Sequence, residues 1–353
     1  MAIGLDGVIA AETILSKIDQ ANGMTWVRGI DLPTLAAEYG FEGSIALLWE
    51  GFAGDGLTRD GMTAALGAAR LAAYRRLSSW LPATAGKNLF EGVTIALANQ
   101  PDSATPADLV AALTVAVPAL VRQVNGATPV EPDPTLGTPA DLLRMLHARA
   151  PDPAHAGALD TYFSVMMESG LNTSSFTARV VASTRASLTS SVLAAWCAFT
   201  GVLHGAAPGP TLDLMDAAER QPDLEGWLEA KLRAGERLMG FGHRVFQGND
   251  PRAEAMRRSM KAMGAAAGRL GFAEKLEQAV AVAIDRVKPG RKLPPNVEIA
   301  AALLLDAVGI PREAFTLAFA VGRGPGWIAH ALEQGKTGRL MRPASIYTGP
   351  PIG

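Results

Sequence analysis

The sequence predicts a mainly α-helical, multi-helical protein with one small N-terminal β-hairpin. Its 37 glycines and 23 prolines fall largely where helices would start or stop. Apolar residues recur at helical spacing through most of the chain, and β-branched residues gather about a turn only once, near the N-terminus. A length of 353 residues is enough for two domains or one large one.

The elements follow in order. Residues 8–29 read as a hairpin about Asp19-Gln20-Ala21-Asn22-Gly23. Pro33 is placed to open a helix and Gly40 to close it. Thr105-Pro106-Ala107-Asp108 and Thr138-Pro139-Ala140-Asp141 read as capping boxes, each with a carboxylate near the orphan amides. Between them, prolines 129, 132 and 134 restrain their predecessors and predict a loop. From Pro153 to Thr200 the faces suit a buried helix bundle broken at Gly170-Leu171-Asn172, and Gly205 to Pro210 breaks the pattern again. Helical signals resume near 211–233, 252–264, 273–287, 297–308, 311–321 and 326–334.

A net charge of -2 offers no basic field for nucleic acid or an anionic membrane, so any anion must be bound locally. The uncharged stretch Ala186 to Leu203 is close to the minimum for a membrane span, but its Ser and Thr residues and the adjoining His204 favour a buried core helix. Cys197, the only cysteine, permits no intrachain disulfide and reads as a small core residue. With no disulfide a reducing cytoplasm is expected, and the start Met1-Ala2-Ile3-Gly4-Leu5-Asp6 shows no secretory pattern.

Neither Gly240-Phe241-Gly242 nor Gly322-Arg323-Gly324-Pro325-Gly326 completes a dinucleotide fingerprint or a P-loop. Histidines 147, 155, 204, 243 and 330 have no ligand spacing, so no metal site and no cofactor are expected. What remains is an acid/base constellation. His204 follows an apolar helix where backbone amides come free, and His243 sits among glycines with Arg244 and Arg252 nearby. Glu298 lies two residues after Asn296, a good N-cap. In that first turn it would be a weak base unless buried against apolar surface. Arg323 and Arg342 stand beside helix-breaking residues.

Taken together these residues carry a resemblance. Gly4 to Thr13, Glu131-Pro132-Asp133-Pro134, Asn172 to Val180, Leu203-His204-Gly205, Gly240 to Val245, Asp250-Pro251-Arg252, Pro295-Asn296-Val297-Glu298 and Arg342 to Pro350 match, in order, segments of the shorter bacterial citrate synthases. The resemblance implies a dimer with a large domain, 1–204 plus 309–353, and a small domain, 205–308, closing over the site. It implies an acyltransferase that condenses acetyl-CoA with oxaloacetate to citrate and CoA without a metal. His204 would hold the thioester oxygen, Glu298 would take the methyl proton, and His243 would polarise the ketone. Arg252 and Arg323, with Arg342 of a second subunit, would bind carboxylates, and Leu238, Met239, Gly240, Phe241 and Gly242 would meet CoA.

The chain departs from the family pattern in three places. Glu298 stands where many members have Asp, and Ala206 follows Gly205 where glycine is usual. Ser169 replaces a histidine that, with Asn172 three residues on, binds oxaloacetate in the family. Losing one charge-assisted hydrogen bond costs about 1.5–3 kcal/mol. Another 2-oxo acid, propionyl-CoA as in the related 2-methylcitrate synthases, or a non-catalytic CoA-binding paralogue therefore stay open.

Overall fold

The computed structural model describes residues 5, 7–19, 22–205, 208–242, 250–264 and 267–351. Strands β1 (Ser16–Asp19), β2 (Met24–Val27) and β3 (Ile30–Asp31) form an antiparallel sheet in the order β1-β2-β3, with Ser16 opposite Val27 and Trp26 opposite Asp31. The expected hairpin is present, extended by the short third strand; its turn residues Gln20 and Ala21 lie outside the described residues.

Among the described residues, every element named after the sheet is a helix. The first half of the chain forms α1 (Leu32–Thr34), α2 (Gly40–Trp49), α3 (Arg59–Arg75), α4 (Leu77–Trp80), α5 (Leu89–Ala98), α6 (Pro106–Val124) and α7 (Thr138–His147). Then come α8 (Pro153–Met166), α9 (Thr173–Ser183), α10 (Leu188–Phe199), α11 (Pro208–Glu219), α12 (Leu224–Arg233), α13 (Pro251–Ala262), α14 (Ala267–Val287), α15 (Val297–Ala307) and α16 (Phe315–Thr337). A π-turn, Leu35–Tyr39, leads into Gly40, whose φ of 62° both closes that turn and opens α2.

The first capping box forms as expected: Thr105 Oγ1 accepts from Asp108 N at 3.2 Å, and Asp108 Oδ2 accepts from Thr105 N at 2.9 Å. The second does not. Gly137 is the N-cap of α7, Thr138 N donates to Glu42 Oε1 at 2.5 Å, and Thr138 Oγ1 accepts from Arg70 Nη1 at 2.9 Å. Asp141 instead pairs with the buried Arg70 guanidinium at 2.8 Å, a partner outside any local pattern. Helix α6 is long and apolar enough to cross a membrane, yet all residues from Leu109 to Val121 are buried within the protein.

Two expected helices, 311–321 and 326–334, are one. Helix α16 runs unbroken through Gly322, Gly324, Pro325 and Gly326. These glycines permit close packing rather than a break. A Cβ on Gly322 would lie 3.1 Å from Phe163 Cδ1, one on Gly324 2.9 Å from Leu113 Cδ1, and one on Gly326 2.3 Å from the Met167 carbonyl oxygen. Gly326→Ala should therefore destabilise the protein by about 1–3 kcal/mol, because a backbone carbonyl cannot swing aside. Gly335→Ala on the same helix, where a Cβ meets nothing within 4 Å, should be neutral or stabilising. Urea denaturation of both variants checks the contrast. The region 211–233 likewise resolves into two helices, α11 and α12. Cys197 is not a core residue: α10 turns it to the exposed side.

Candidate active site

Five elements converge on one cluster. Helix α10 ends at Phe199, and a turn closed by His204 N to Gly201 O (2.9 Å) and Gly205 N to Phe199 O (2.9 Å) delivers His204. Gly205 is required there, because a Cβ would stand 2.5 Å from the Phe199 ring. The imidazole packs edge-on against Phe199 at 5.1 Å. Its Nε2 lies 2.8 Å from Ser174 Oγ and accepts from Ser174 N at 3.3 Å.

Those contacts set the tautomer. Nε2 faces a backbone N–H, so it carries the lone pair and the ring proton sits on Nδ1. Trp327 Nε1 donates to Ser174 Oγ at 2.9 Å, and Ser174 Oγ lies 2.8 Å from Asn172 Oδ1, so Ser174 is itself held. Burial first, and then the Arg323 charge, lower the His204 pKa to about 4. His204 is a neutral hydrogen-bond donor at physiological pH.

Glu298 enters from α15. Asn296 caps that helix through Oδ1, which accepts from Glu298 N at 2.9 Å. The cap is anchored to the glycine loop before it: Asn296 N donates to Gly240 O at 2.9 Å, Asn296 Nδ2 to Gly242 O at 3.0 Å, and Gly242 N to Pro294 O at 2.7 Å. Gly240 (φ 84°) and Gly242 (φ 83°) need the left-handed region, and a Cβ on Gly240 would strike Ile299 and Thr211 at 2.7 Å. Leu238 and Phe241 are buried beneath this loop, and Met239 is half-buried. The segment proposed for CoA and the segment carrying the candidate base thus form one unit.

The Glu298 carboxylate is a stronger base than its place in the helix suggests. Its Oε2 is sealed from solvent with no hydrogen-bond partner among the described residues. Burial raises its pKa to about 7 against the pull of Arg252 and Arg323. The desolvation cost outweighs both the helix dipole and two cations.

The two arginines are fixed differently. Asp250 caps α13 and grips Arg252 from Nε (2.9 Å) and Nη2 (2.6 Å), holding the guanidinium plane. Arg323, 2% exposed, donates from Nε to Met166 O at 2.6 Å and stacks on Phe319 at 5.0 Å. It has no salt bridge among the described residues, and burial lowers its pKa to about 10. The fields of Arg252 and Arg323 both reach Glu298, and that of Arg323 also reaches His204.

His204, Glu298, Arg252 and Arg323 are therefore brought together. His243 lies outside the described residues, as do Arg244 and Ala206. Arg342 is exposed on the tail after α16. Ser169 sits half-buried in the connector between α8 and α9, and Asn172 caps α9 through Oδ1, accepting from Ser175 N at 3.2 Å.

The sequence did not reveal a buried chain beside the cluster. Glu168 Oε1 accepts from Ser16 Oγ (2.8 Å) and pairs with His330 Nε2 (3.1 Å); Arg179 Nε donates to His330 Nδ1 (2.9 Å) and Arg179 Nη1 to Gln334 Oε1 (2.9 Å). Arg179 also pairs with Glu333, whose Oε1 accepts from Ile14 N at 2.9 Å, so the chain ties the N-terminal segment to α9 and α16.

The chain matches the family described as citrate synthase, C-terminal domain, over residues 4–344. It belongs to the citrate synthase family. The citrate synthase of Haloferax volcanii is 34% identical over 98% of this chain and 95% of its own length. The 2-methylcitrate synthase of Mycobacterium tuberculosis (strain Erdman) is 30% identical over 98% and 90%. Among solved structures, the citrate synthase of Thermotoga maritima superposes with a TM-score of 0.85 at 26% identity, covering 99% of this chain and 96% of that one. Like its relatives, this citrate synthase family member is an enzyme of mainly α-helical fold.

Proposed function

We propose that this enzyme condenses acetyl-CoA with oxaloacetate to give citrate and CoA. The observation that carries the reading is the pairing of a neutral, proton-donating His204 with a basic Glu298, its Oε2 sealed from solvent, in one cluster with Arg252 and Arg323. The Glu298 carboxylate takes a proton from the thioester methyl while His204 Nδ1–H donates to the thioester oxygen, stabilising the enol or enolate. The nucleophilic carbon attacks the oxaloacetate ketone, polarised by His243. Water then cleaves the citryl thioester, releasing citrate and the CoA thiol.

Arg252 and Arg323 suit the oxaloacetate carboxylates, with Arg342 added across a homodimer interface. CoA fits against the 238–242 loop. A cavity of about 350 Å³ there is lined by Leu238, Phe241 and Gly242 and by the cations Arg237, Lys288 and Arg291, which suit its phosphates. Residues 205–308 are proposed to close as a small domain, expelling water.

The test is thiol release followed with a disulfide dye, with acetyl-CoA and with oxaloacetate present or omitted. Release that depends on oxaloacetate supports the reaction, preference for propionyl-CoA moves it to 2-methylcitrate synthesis, and no release with any acyl-CoA and 2-oxo acid pair removes it. Ser169 gives a further handle. Ser169→His should lower the KM for oxaloacetate by about 10–100-fold, the worth of one hydrogen bond to a charged group. An unchanged KM in steady-state kinetics would show that the serine is not the weak point.

A further inference from the structure

Two buried polar atoms of the cluster lack partners among the described residues: the phenol oxygen of Tyr162, and Glu298 Oε2. One is a donor and the other is acceptor-only when ionised. Leaving either unpaired carries a desolvation cost, so each calls for a partner.

Their placement is fixed from several sides. The fully buried Tyr162 ring meets Phe319 edge-on at 6.3 Å, and the Arg323 guanidinium covers the same Phe319 ring. Arg323 then reaches back to Met166 O, one turn along α8 from Tyr162. Helix α15, bearing Glu298, packs on α8. Burial, and next the Glu298 charge, raise the Tyr162 pKa well above the ordinary phenol value, so it remains a donor wherever the enzyme works.

We propose that Tyr162 is a positioning residue for Glu298: its O–H reaches Glu298 Oε2 through one bridging water and holds the carboxylate in line for proton abstraction. The inference rests on the base role of Glu298 given above. The groups facing Glu298 are Asp250 and Arg252 at the start of α13, Arg323 on α16 and Tyr162 on α8. Arg252 and Arg323 favour the ionised form and Asp250 opposes it, whereas Tyr162 is the neutral donor of the set. Removing the phenol should therefore raise the protonation midpoint of Glu298.

Tyr162→Phe keeps the ring and deletes the hydroxyl. Infrared difference titration of the unliganded enzyme, with Glu298→Gln as the subtraction background, reads the Glu298 carboxyl without turnover. The expected midpoint shift is upward by about one pH unit. In steady-state kinetics kcat at neutral pH should fall by about tenfold with the KM for the oxo acid held within about twofold. An unmoved midpoint overturns the proposal, whether or not the oxo-acid KM rises. Should Tyr162→Phe not fold, Tyr162→3,5-difluorotyrosine makes a stronger donor and should move the midpoint downward; no movement again overturns it. If the enzyme is inactive with every substrate pair, the infrared shift still decides the Tyr162–Glu298 link, and only the proposed reaction falls.

Discussion

Glu298→Gln is expected to lower kcat by about 10²–10⁴-fold, the worth of a positioned general base, while raising stability at alkaline pH. Both effects have one cause. The fold seals Oε2 from water and lifts the carboxyl pKa to about 7 from an ordinary 4.5, so the ionised form is a strong base held at a cost. Between those two pH values the folded state binds more protons than the unfolded chain, so stability declines as pH rises from 4.5 through 7 and is level beyond. The upper bound of that penalty is on the order of 3 kcal/mol, reduced by whatever solvent reaches the half-buried residue. The amide variant should melt higher than wild type at pH 8 and equal to it near pH 4.5, in paired thermal scans. Wild-type kcat/KM should rise through an acidic limb near pH 7, where Glu298 ionises. Undiminished turnover in Glu298→Gln would remove the residue from proton abstraction.

What could be read in the sequence follows a physical division. Helix starts with local chemistry were legible: the Thr105–Asp108 box and the Asn296 cap each depend on residues within three positions of one another. Thr138 misled because its hydroxyl serves Arg70, 68 positions away. The glycines of α16 misled because their spacing is the same whether a helix breaks or packs closely; only the approach of Met167 and Phe163 separates the two. Cys197 was placed in the core by the apolar stretch around it, and the rotation of α10 placed it outside.

The site divides the same way. His204 and Glu298 were legible as candidates, the first from its place at a helix end and both from the family resemblance. Their proton states were not, since Ser174 N selects the His204 tautomer and burial sets the basicity of Glu298. Ser174 lies inside a matching segment and could have been singled out. Tyr162 and the Glu168–His330–Arg179 chain could not, because their partners come from helices far apart in sequence.

His204→Ala should reduce kcat by about 10²–10³-fold, the usual cost of one oxyanion donor, with CoA binding by calorimetry unaltered. The pH dependence distinguishes how the histidine acts. Burial and Arg323 depress its pKa to about 4, so protonation is disfavoured in the folded state. Stability is then lost as pH falls from 6.5 through 4, because the unfolded chain takes up the proton first. Over the range where Glu298 ionises, His204 stays neutral and contributes no limb of its own. Ser174→Ala keeps the backbone N–H at Nε2 but removes the Oγ contact at 2.8 Å and leaves Trp327 Nε1 without its acceptor, so the ring keeps its tautomer and loses one of the two contacts that orient it. That variant should lose about tenfold in kcat with the limb near pH 7 unmoved, since the fault lies in orientation and not in charge. A wild-type profile with activity falling above pH 6.5 and this fall abolished by His204→Gln would instead identify His204 as an imidazolium acid. The neutral donor set by Ser174 would then be the wrong species.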